Sequence, residues 1–172
     1  MKKLEIACFN LESALIAQES GADRVELCAD IHLGGTTPSI EIIQKAKANL
    51  IIPIYIMIRP RGGDFVYSDA EFQQMKDVIV KLKTLAINGF VFGILNEDHT
   101  INSNQNTELV NLAKPILCTF HRAFDEVINY KIALEEVVSC GFSTILTSGT
   151  FPNVMEGKEV LKQLVIQANN RI

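Results

Sequence analysis

Two short clusters of charged residues each follow directly on an apolar run, and their residue types are the ones in this sequence most suited to chemistry. The first cluster contains Arg59, Arg61 and Asp64, interspersed with one proline and two glycines, and it follows the apolar run 54–58. The forked guanidinium groups of the arginines suit a carboxylate or a phosphate, and the glycines allow a ligand to approach the backbone closely. Asp64 can orient the arginines. This cluster predicts a site for a small anionic molecule, and the alternative is a surface turn that contains an Arg–Asp pair.

The second cluster places His121 and Asp125 after the apolar run 116–120. Together with Glu26, it supplies the groups that acid–base chemistry on an anionic substrate requires, with Glu26 or His121 as the base and Asp125 orienting the histidine or an arginine. Thr147 and Ser148 add hydroxyl and backbone donors. The alternative for His121 is a hydrogen-bonded interior residue without a catalytic role.

The elements that must position these residues are six repeats of a strand followed by a helix. The predicted strands are 4–8, 24–28, 54–58, 89–94, 116–121 and 144–149. The predicted helices are 11–20, a second one that begins with Pro38 at its first position, 68–86, 105–113, 130–139 and 154–168. Consecutive βα units predict a parallel sheet whose strands all end at one edge. Within the third strand, Tyr55, Met57 and Arg59 share one face, while the isoleucines at 54, 56 and 58 share the other. The polar clusters should therefore meet at a single mouth.

Two architectures fit this pattern. A doubly wound open sheet normally has a glycine-rich first turn, and the sequence from Phe9 to Glu12 contains no glycine. A TIM-type (β/α)₈ barrel fits better, because its polar residues come from many strand ends, although it needs about 250 residues. We therefore predict an α/β fold in which residues 1–172 form one barrel domain, incomplete after about six units and ending before strand seven. The two uncovered edges favour association with a second copy.

Composition narrows the function. Lys and Arg number 16 against 20 acidic residues, giving a net charge of −4, and no basic block is present. This balance argues against nucleic-acid binding and favours a metal ion or small anionic molecule as the partner. The sequence has neither an apolar leader nor an apolar run long enough to cross a membrane, which predicts a cytoplasmic protein without membrane contact.

Four stretches of the sequence resemble one known family. They are the tripeptide Glu26-Leu27-Cys28 and the runs MIRPRGGDFVYS at 57–68, TFHRAFD at 119–125 and LTSG at 146–149. They closely resemble the CutC family, whose proteins are assigned to copper homeostasis, and the resemblance covers the entire chain. It implies a (β/α)₈ barrel and copper handling in the cytoplasm. Family members continue into a glycine-rich strand-seven loop and an eighth unit.

Copper handling directs attention to the thiols, because Cu(I) prefers soft ligands. Cys8 and Cys28 are predicted at the ends of adjacent strands one and two, so the resemblance suggests them as Cu(I) ligands. Strand alternation places Cys28 on the face of Glu26 but Cys8 on the face opposite Glu5, so Cys8 would need a bulge to turn inward. The alternative for each cysteine is a small buried apolar residue. Glu5 itself is expected to pair with an arginine inside the barrel.

Overall fold

The computed structural model describes residues 3–172, in which six strands alternate with six α-helices. The strands are β1 (Glu5–Cys8), β2 (Arg24–Leu27), β3 (Ile54–Met57), β4 (Gly89–Phe92), β5 (Leu117–Phe120) and β6 (Thr144–Ile145). The helices are α1 (Leu11–Glu19), α2 (Ile40–Asn49), α3 (Asp69–Lys83), α4 (Ser103–Ala113), α5 (Tyr130–Cys140) and α6 (Val154–Ala168).

The strands form one sheet in the order β1 to β6, and every neighbouring pair is parallel. A doubly wound sheet would reverse its strand order at a switch point, whereas a TIM-type barrel adds each new strand beside the last. The sheet therefore has the topology of an incomplete TIM-type barrel, as the sequence predicts. All six strands deliver their C-terminal ends to the same mouth.

The sheet separates two cores. Its outer face packs on the helices through a large apolar cluster that includes Ile54, Ile56 and Ile58, whereas Tyr55 and Met57 belong to a smaller cluster on the inner face. This confirms the predicted alternation along β3. A side chain at Gly89 would place its Cβ 2.4 Å from the Tyr55 ring, so glycine is what leaves room for the tyrosine inside the barrel.

A largely buried ion pair lies on the inner face of the sheet, below the mouth. The guanidinium group of Arg24 is ion-paired with Glu5 and lies 4.2 Å from the centroid of the Tyr55 ring. Both charged side chains are less than one-fifth exposed. This confirms the expected structural pairing of Glu5 with an arginine.

Several element ends differ from the sequence prediction. The second helix begins at Ile40 and is capped by Ser39, so Pro38 lies outside it and the prediction of a proline at its first position was wrong. The third helix has a capping box between Ser68 and Glu71. Strand β6 has two residues instead of six, because Thr147 and Ser148 leave the ladder to hydrogen-bond Asp125.

None of the helices of residues 3–172 is both long enough and apolar enough to span a lipid bilayer.

Candidate functional site

A cavity of about 170 Å³ lies at the mouth of the barrel, above the inner-face cluster. The residues on its wall come from β1, β2 and β3 and from the segments that follow β1, β2, β3, β5 and β6. The side chains whose functional groups could bind a ligand or take part in a reaction are Glu26, Cys28, Met57, Arg59, His121 and Arg122. The sequence predicted that Glu26, Arg59 and His121 would share one site, and the structure brings these three to the same cavity.

Arg59 is the most heavily bonded of these residues. It is 5% exposed, and its terminal nitrogens donate to the carbonyl oxygens of Leu33 at 2.8 Å, Gly35 at 3.0 Å and Gly63 at 2.6 Å. Its guanidinium carbon lies 4.7 Å from the centroid of the Phe65 ring. These contacts tie the loops after β2 and β3 together. The Nε–H of Arg59 is buried and has no partner.

His121 is 3% exposed and lies between Phe65 and Phe120. Its Nδ1 accepts a hydrogen bond from the Ala123 backbone N–H at 3.3 Å, and its Nε2 is buried without a partner. Burial, reinforced by the nearby Arg59 cation, lowers the pKa of His121 to about 3. The ring is therefore neutral at physiological pH.

Glu26 and Cys28 form a second buried pair on the wall. The Cys28 thiol donates to Oε1 of Glu26 across 3.4 Å. Burial, with a contribution from the charge of Glu5, raises the pKa of Glu26 to about 7. Burial and the Glu26 carboxyl also raise the pKa of Cys28, so its thiol stays protonated. Glu26 is thus a carboxyl group that can take up or release a proton near neutral pH.

A wider cleft of about 570 Å³ adjoins the cavity and shares Gly34, Arg59, Phe65 and Arg122 with it. Arg122 has a half-exposed side chain, donates to Ser148 Oγ at 2.6 Å and is ion-paired with Asp125. It is the cationic residue at the rim between the two spaces. The cleft gives a ligand in the cavity an outlet toward solvent.

The structure turns Arg61 and Asp64 away from this cavity. Arg61 is paired with Glu71 at 2.6 Å and with Asp64 at 2.9 Å, and it also donates to the Val66 carbonyl at 2.7 Å. These contacts hold the Arg61 guanidinium group against the loop before α3, so it does not line the cavity. Asp64 orients an arginine, as one of the predicted alternatives held, but the arginine is Arg61, outside the cavity.

Asp125 is likewise occupied by protein donors. It accepts from Thr147 Oγ1 at 2.5 Å and from the N–H groups of Ser148 and Thr150, each at 3.0 Å. Burial alone would raise its pKa, but these hydrogen bonds and the bond from Arg122 outweigh burial and lower it. Asp125 therefore orients an arginine, not His121. The Thr147 hydroxyl donates to Asp125, and Ser148 Oγ lies 2.5 Å from the Phe151 carbonyl oxygen and 3.2 Å from Asp125 Oδ2, so both hydroxyl groups are bonded within the protein.

The two cysteines predicted as metal ligands face opposite sides of the sheet. Cys8 is in register with Leu27, and both side chains pack in the outer core, whereas Cys28 belongs to the inner-face cluster. A two-thiolate Cu(I) site between them does not fit this arrangement. Within residues 3–172, no cluster of three or more His, Cys, Asp and Glu side chains is arranged to hold a metal ion.

Sequence reasoning missed two contributors to the site, Phe65 and Arg122. Phe65 contacts both Arg59 and His121 through its ring. It follows the charged cluster in a loop, where no periodicity indicates which way a side chain points. Arg122 stands directly beside His121 in the sequence, and that adjacency was the signal that would have identified it.

The sequence of this chain is similar to those of one family of known proteins. The sequence model of the CutC family matches residues 2–172. The human copper homeostasis protein cutC homolog is 44% identical over 169 residues, which are 98% of this chain and 62% of the human protein. A CutC family protein of Proteus mirabilis is 46% identical over 164 residues, covering 95% of this chain and 66% of that protein. The chain thus spans somewhat less than two thirds of these relatives.

A solved structure supports the same relationship. The crystal structure of a CutC protein from Streptococcus agalactiae superposes with a TM-score of 0.93 at 34% sequence identity. The match covers 99% of this chain and 85% of the bacterial one. The incomplete barrel described above is therefore the fold of that protein over the shared region.

Proposed function

The chain belongs to the CutC family, and we propose that its mouth cavity binds a small anionic molecule and transfers a proton to or from it. The observation that carries this proposal is a pair of unused donors. Arg59 Nε and His121 Nε2 are both buried without partners on residues that line the cavity. Buried polar groups are normally hydrogen-bonded, so two unsatisfied donors on one wall indicate a missing acceptor.

Proton transfer is supported by the third group on that wall. A general acid or base works best when its pKa lies near the working pH, and the pKa of Glu26 is about 7. The relatives are named for copper homeostasis, and we propose that this chain takes part in the same process. A cytoplasmic location, self-association along the edges of β1 and β6, and the lack of a nucleic-acid partner stay predictions.

Anion binding predicts stabilisation by malonate, a small dianion, but not by its neutral diamide. At a malonate concentration 100 times the dissociation constant, the free energy of unfolding should rise by about 2.7 kcal/mol. Replacing the rim cation, Arg122→Gln, should weaken malonate binding about tenfold, or ~1.4 kcal/mol. Thermal unfolding over a malonate series measures both effects, and malonamide is the control for the ligand.

Arg171→Gln is the matched control for the protein. It also removes one positive charge, but Arg171 is paired with Glu135 on the surface, and neither residue lines the cavity or the cleft. Its malonate affinity should equal that of the unmodified chain. Equal stabilisation by malonate and malonamide, or no stabilisation by malonate, would contradict the anion site.

A second candidate, Cu(I) carried as cargo, is favoured by the soft atoms in the cavity. The thiol of Cys28 and the thioether of Met57 belong to residues that line the same space. Thiolate and thioether ligands select Cu(I). The raised pKa of Cys28 means that copper would have to displace a tightly held proton, so affinity should increase with pH.

The copper candidate predicts different effects for the two cysteines. Cys28→Ser should weaken Cu(I) binding at least tenfold in a competition titration with a Cu(I) chelator, because Cys28 supplies the single thiol among the described residues that line the cavity. Cys8→Ser is the matched control, since Cys8 is buried in the outer core. Its affinity should be unchanged. Equal losses in both variants, or no loss in Cys28→Ser, would exclude this candidate.

A further inference from the structure

The hydrogen bonding of His121 decides which part it can take in proton transfer. Its Nδ1 is the acceptor of the Ala123 N–H, so the hydrogen of the neutral ring lies on Nε2. Neither ring nitrogen then has a free lone pair with which to act as a base. The buried Nε2–H is a donor without a partner, on a residue of the cavity wall. His121 can stabilise negative charge on a ligand oxygen, but it cannot abstract a proton.

Glu26 is left as the base. Among the described residues that line the inner cavity, Glu26 carries the single carboxyl group, and Asp125 and Glu126 line the outer cleft and not the inner cavity. The Cys28 thiol hydrogen-bonds Oε1 and thereby holds the carboxyl group in one orientation. A carboxylate base combined with a neutral imidazole donor is an arrangement that suits enolisation of a carbonyl compound.

From this division of roles, and resting on the proposed function, we infer that the cavity enolises a small carbonyl compound that carries a carboxylate or phosphate group. Glu26 removes a proton from the carbon next to the carbonyl, and the C–H electron pair forms a carbon–carbon double bond. The carbonyl π pair moves onto oxygen, where it receives the hydrogen bond of His121 Nε2–H. Return of the proton from Glu26 to carbon closes the cycle without an oxidant, a reductant or a second substrate.

The charges around the cavity define where the anionic group binds. Arg59 lines the cavity and has a buried, unpartnered Nε–H, and Arg122 stands at the rim, half-exposed, between cavity and cleft. A carboxylate or phosphate there would leave the carbonyl end inside. The apolar side chains of Met57 and Phe65 contribute to the wall and exclude water from the reacting carbon. The volume of about 170 Å³ limits the reacting end to a compact molecule of a few carbons.

Hydrogen exchange tests the inference directly. The 172-residue chain is incubated in D₂O with 2-oxobutyrate or with dihydroxyacetone phosphate, and proton NMR follows loss of the signal from the carbon-bound hydrogen next to the carbonyl. We expect exchange above the buffer blank with at least one probe. Glu26→Gln should lower the enzymatic rate at least about 100-fold, since a positioned general base contributes 10²- to 10⁴-fold.

Variants at His121 separate its donor role from a packing role. His121→Leu should lower the exchange rate about 100-fold, as loss of one oxyanion donor does, while His121→Gln, which keeps an N–H donor, should recover part of that loss. Glu19→Gln on the exposed face of α1 is the control and should exchange at the unmodified rate. Circular dichroism of each variant checks that it is folded.

Malonate binding, measured in parallel, distinguishes the two proposals. Malonate binding without exchange of either probe would overturn the enolisation inference and leave the anion site standing. Absence of malonate binding would overturn the proposed function itself. Exchange that survives in Glu26→Gln would overturn the assignment of the base, and equal rates in His121→Leu and His121→Gln would overturn the donor role.

Discussion

Arg59→Met is expected to lower the free energy of unfolding by about 3 to 5 kcal/mol, the largest loss that a single substitution at the mouth should cause. The variant removes three hydrogen bonds from a charged donor to the carbonyl groups of Leu33, Gly35 and Gly63. Each such bond contributes about 1.5 to 3 kcal/mol, and the three are not independent. Methionine preserves the apolar stem but leaves these carbonyl groups without their donor. Urea unfolding followed by circular dichroism measures the change.

Arg61→Met is the matched control, two residues away in the same loop. The side chain of Arg61 is 36% exposed, and its ion pairs with Asp64 and Glu71 are open to water. Such pairs contribute about 0 to 1 kcal/mol each because solvent screens them. We therefore expect a much smaller loss than in Arg59→Met. Equal losses in the two variants would contradict the view that the Arg59 guanidinium group, and not that of Arg61, ties the loops after β2 and β3 together.

The different fates of these two arginines show where sequence reasoning stops. Strand alternation is a local rule, and it correctly assigned the inner face to Tyr55, Met57 and the residue after Ile58. At Pro60 the strand period ends, and nothing local specifies where Arg61 points. Its direction is set by Glu71 on the first turn of α3, ten residues along the chain. A contact of that kind depends on how the loop folds back, which a pattern of residue types does not encode.

Asp125 illustrates the same limit for a carboxylate. Its sequence position, four residues after His121, predicted a partner for the histidine or for an arginine. The structure selects an arginine because the chain after β6 wraps the carboxylate with Thr147, Ser148 and Thr150. Gly149 has a positive φ of 79° in this loop, which allows the tight turn. The same wrapping shortens β6, so one long-range interaction accounts for both differences.

The protonation states were also beyond the reach of the sequence. Glu26 and His121 are ordinary residue types, and the sequence left open which of them acts as the base. Burial disfavours the charged form of each group, so it raises the pKa of the acid and lowers the pKa of the imidazole. The fold predicted from the sequence places both residues at one mouth. How deeply each side chain is buried there depends on tertiary packing, which the sequence pattern does not specify.

The opposing pKa shifts lead to the second large effect, a pH-dependent gain in stability for Glu26→Gln. In the folded chain the pKa of Glu26 is about 7, against an ordinary value of 4.5. Between these values the folded state holds a proton that the unfolded state has released, so Glu26 makes stability fall as pH rises from about 4.5 to 7. Glutamine resembles the protonated acid and removes this dependence. The free energy of unfolding of Glu26→Gln minus that of the unmodified chain should therefore be larger at pH 8 than at pH 4, by up to about 3 kcal/mol.

His121 determines the shape of the curve that remains. Its pKa of about 3 lies below the ordinary 6.5, so the unfolded state holds the extra proton between these values, and stability rises with pH through that window. In the unmodified chain the two slopes oppose each other between about pH 4.5 and 6.5, whereas in Glu26→Gln only the rise due to His121 is left. Urea unfolding at pH 4, 5, 6, 7 and 8 measures both curves, and Glu19→Gln is the control for loss of an exposed carboxylate. If the curve of Glu26→Gln runs parallel to that of the unmodified chain, Glu26 does not titrate near neutrality and is not the base that the mouth requires.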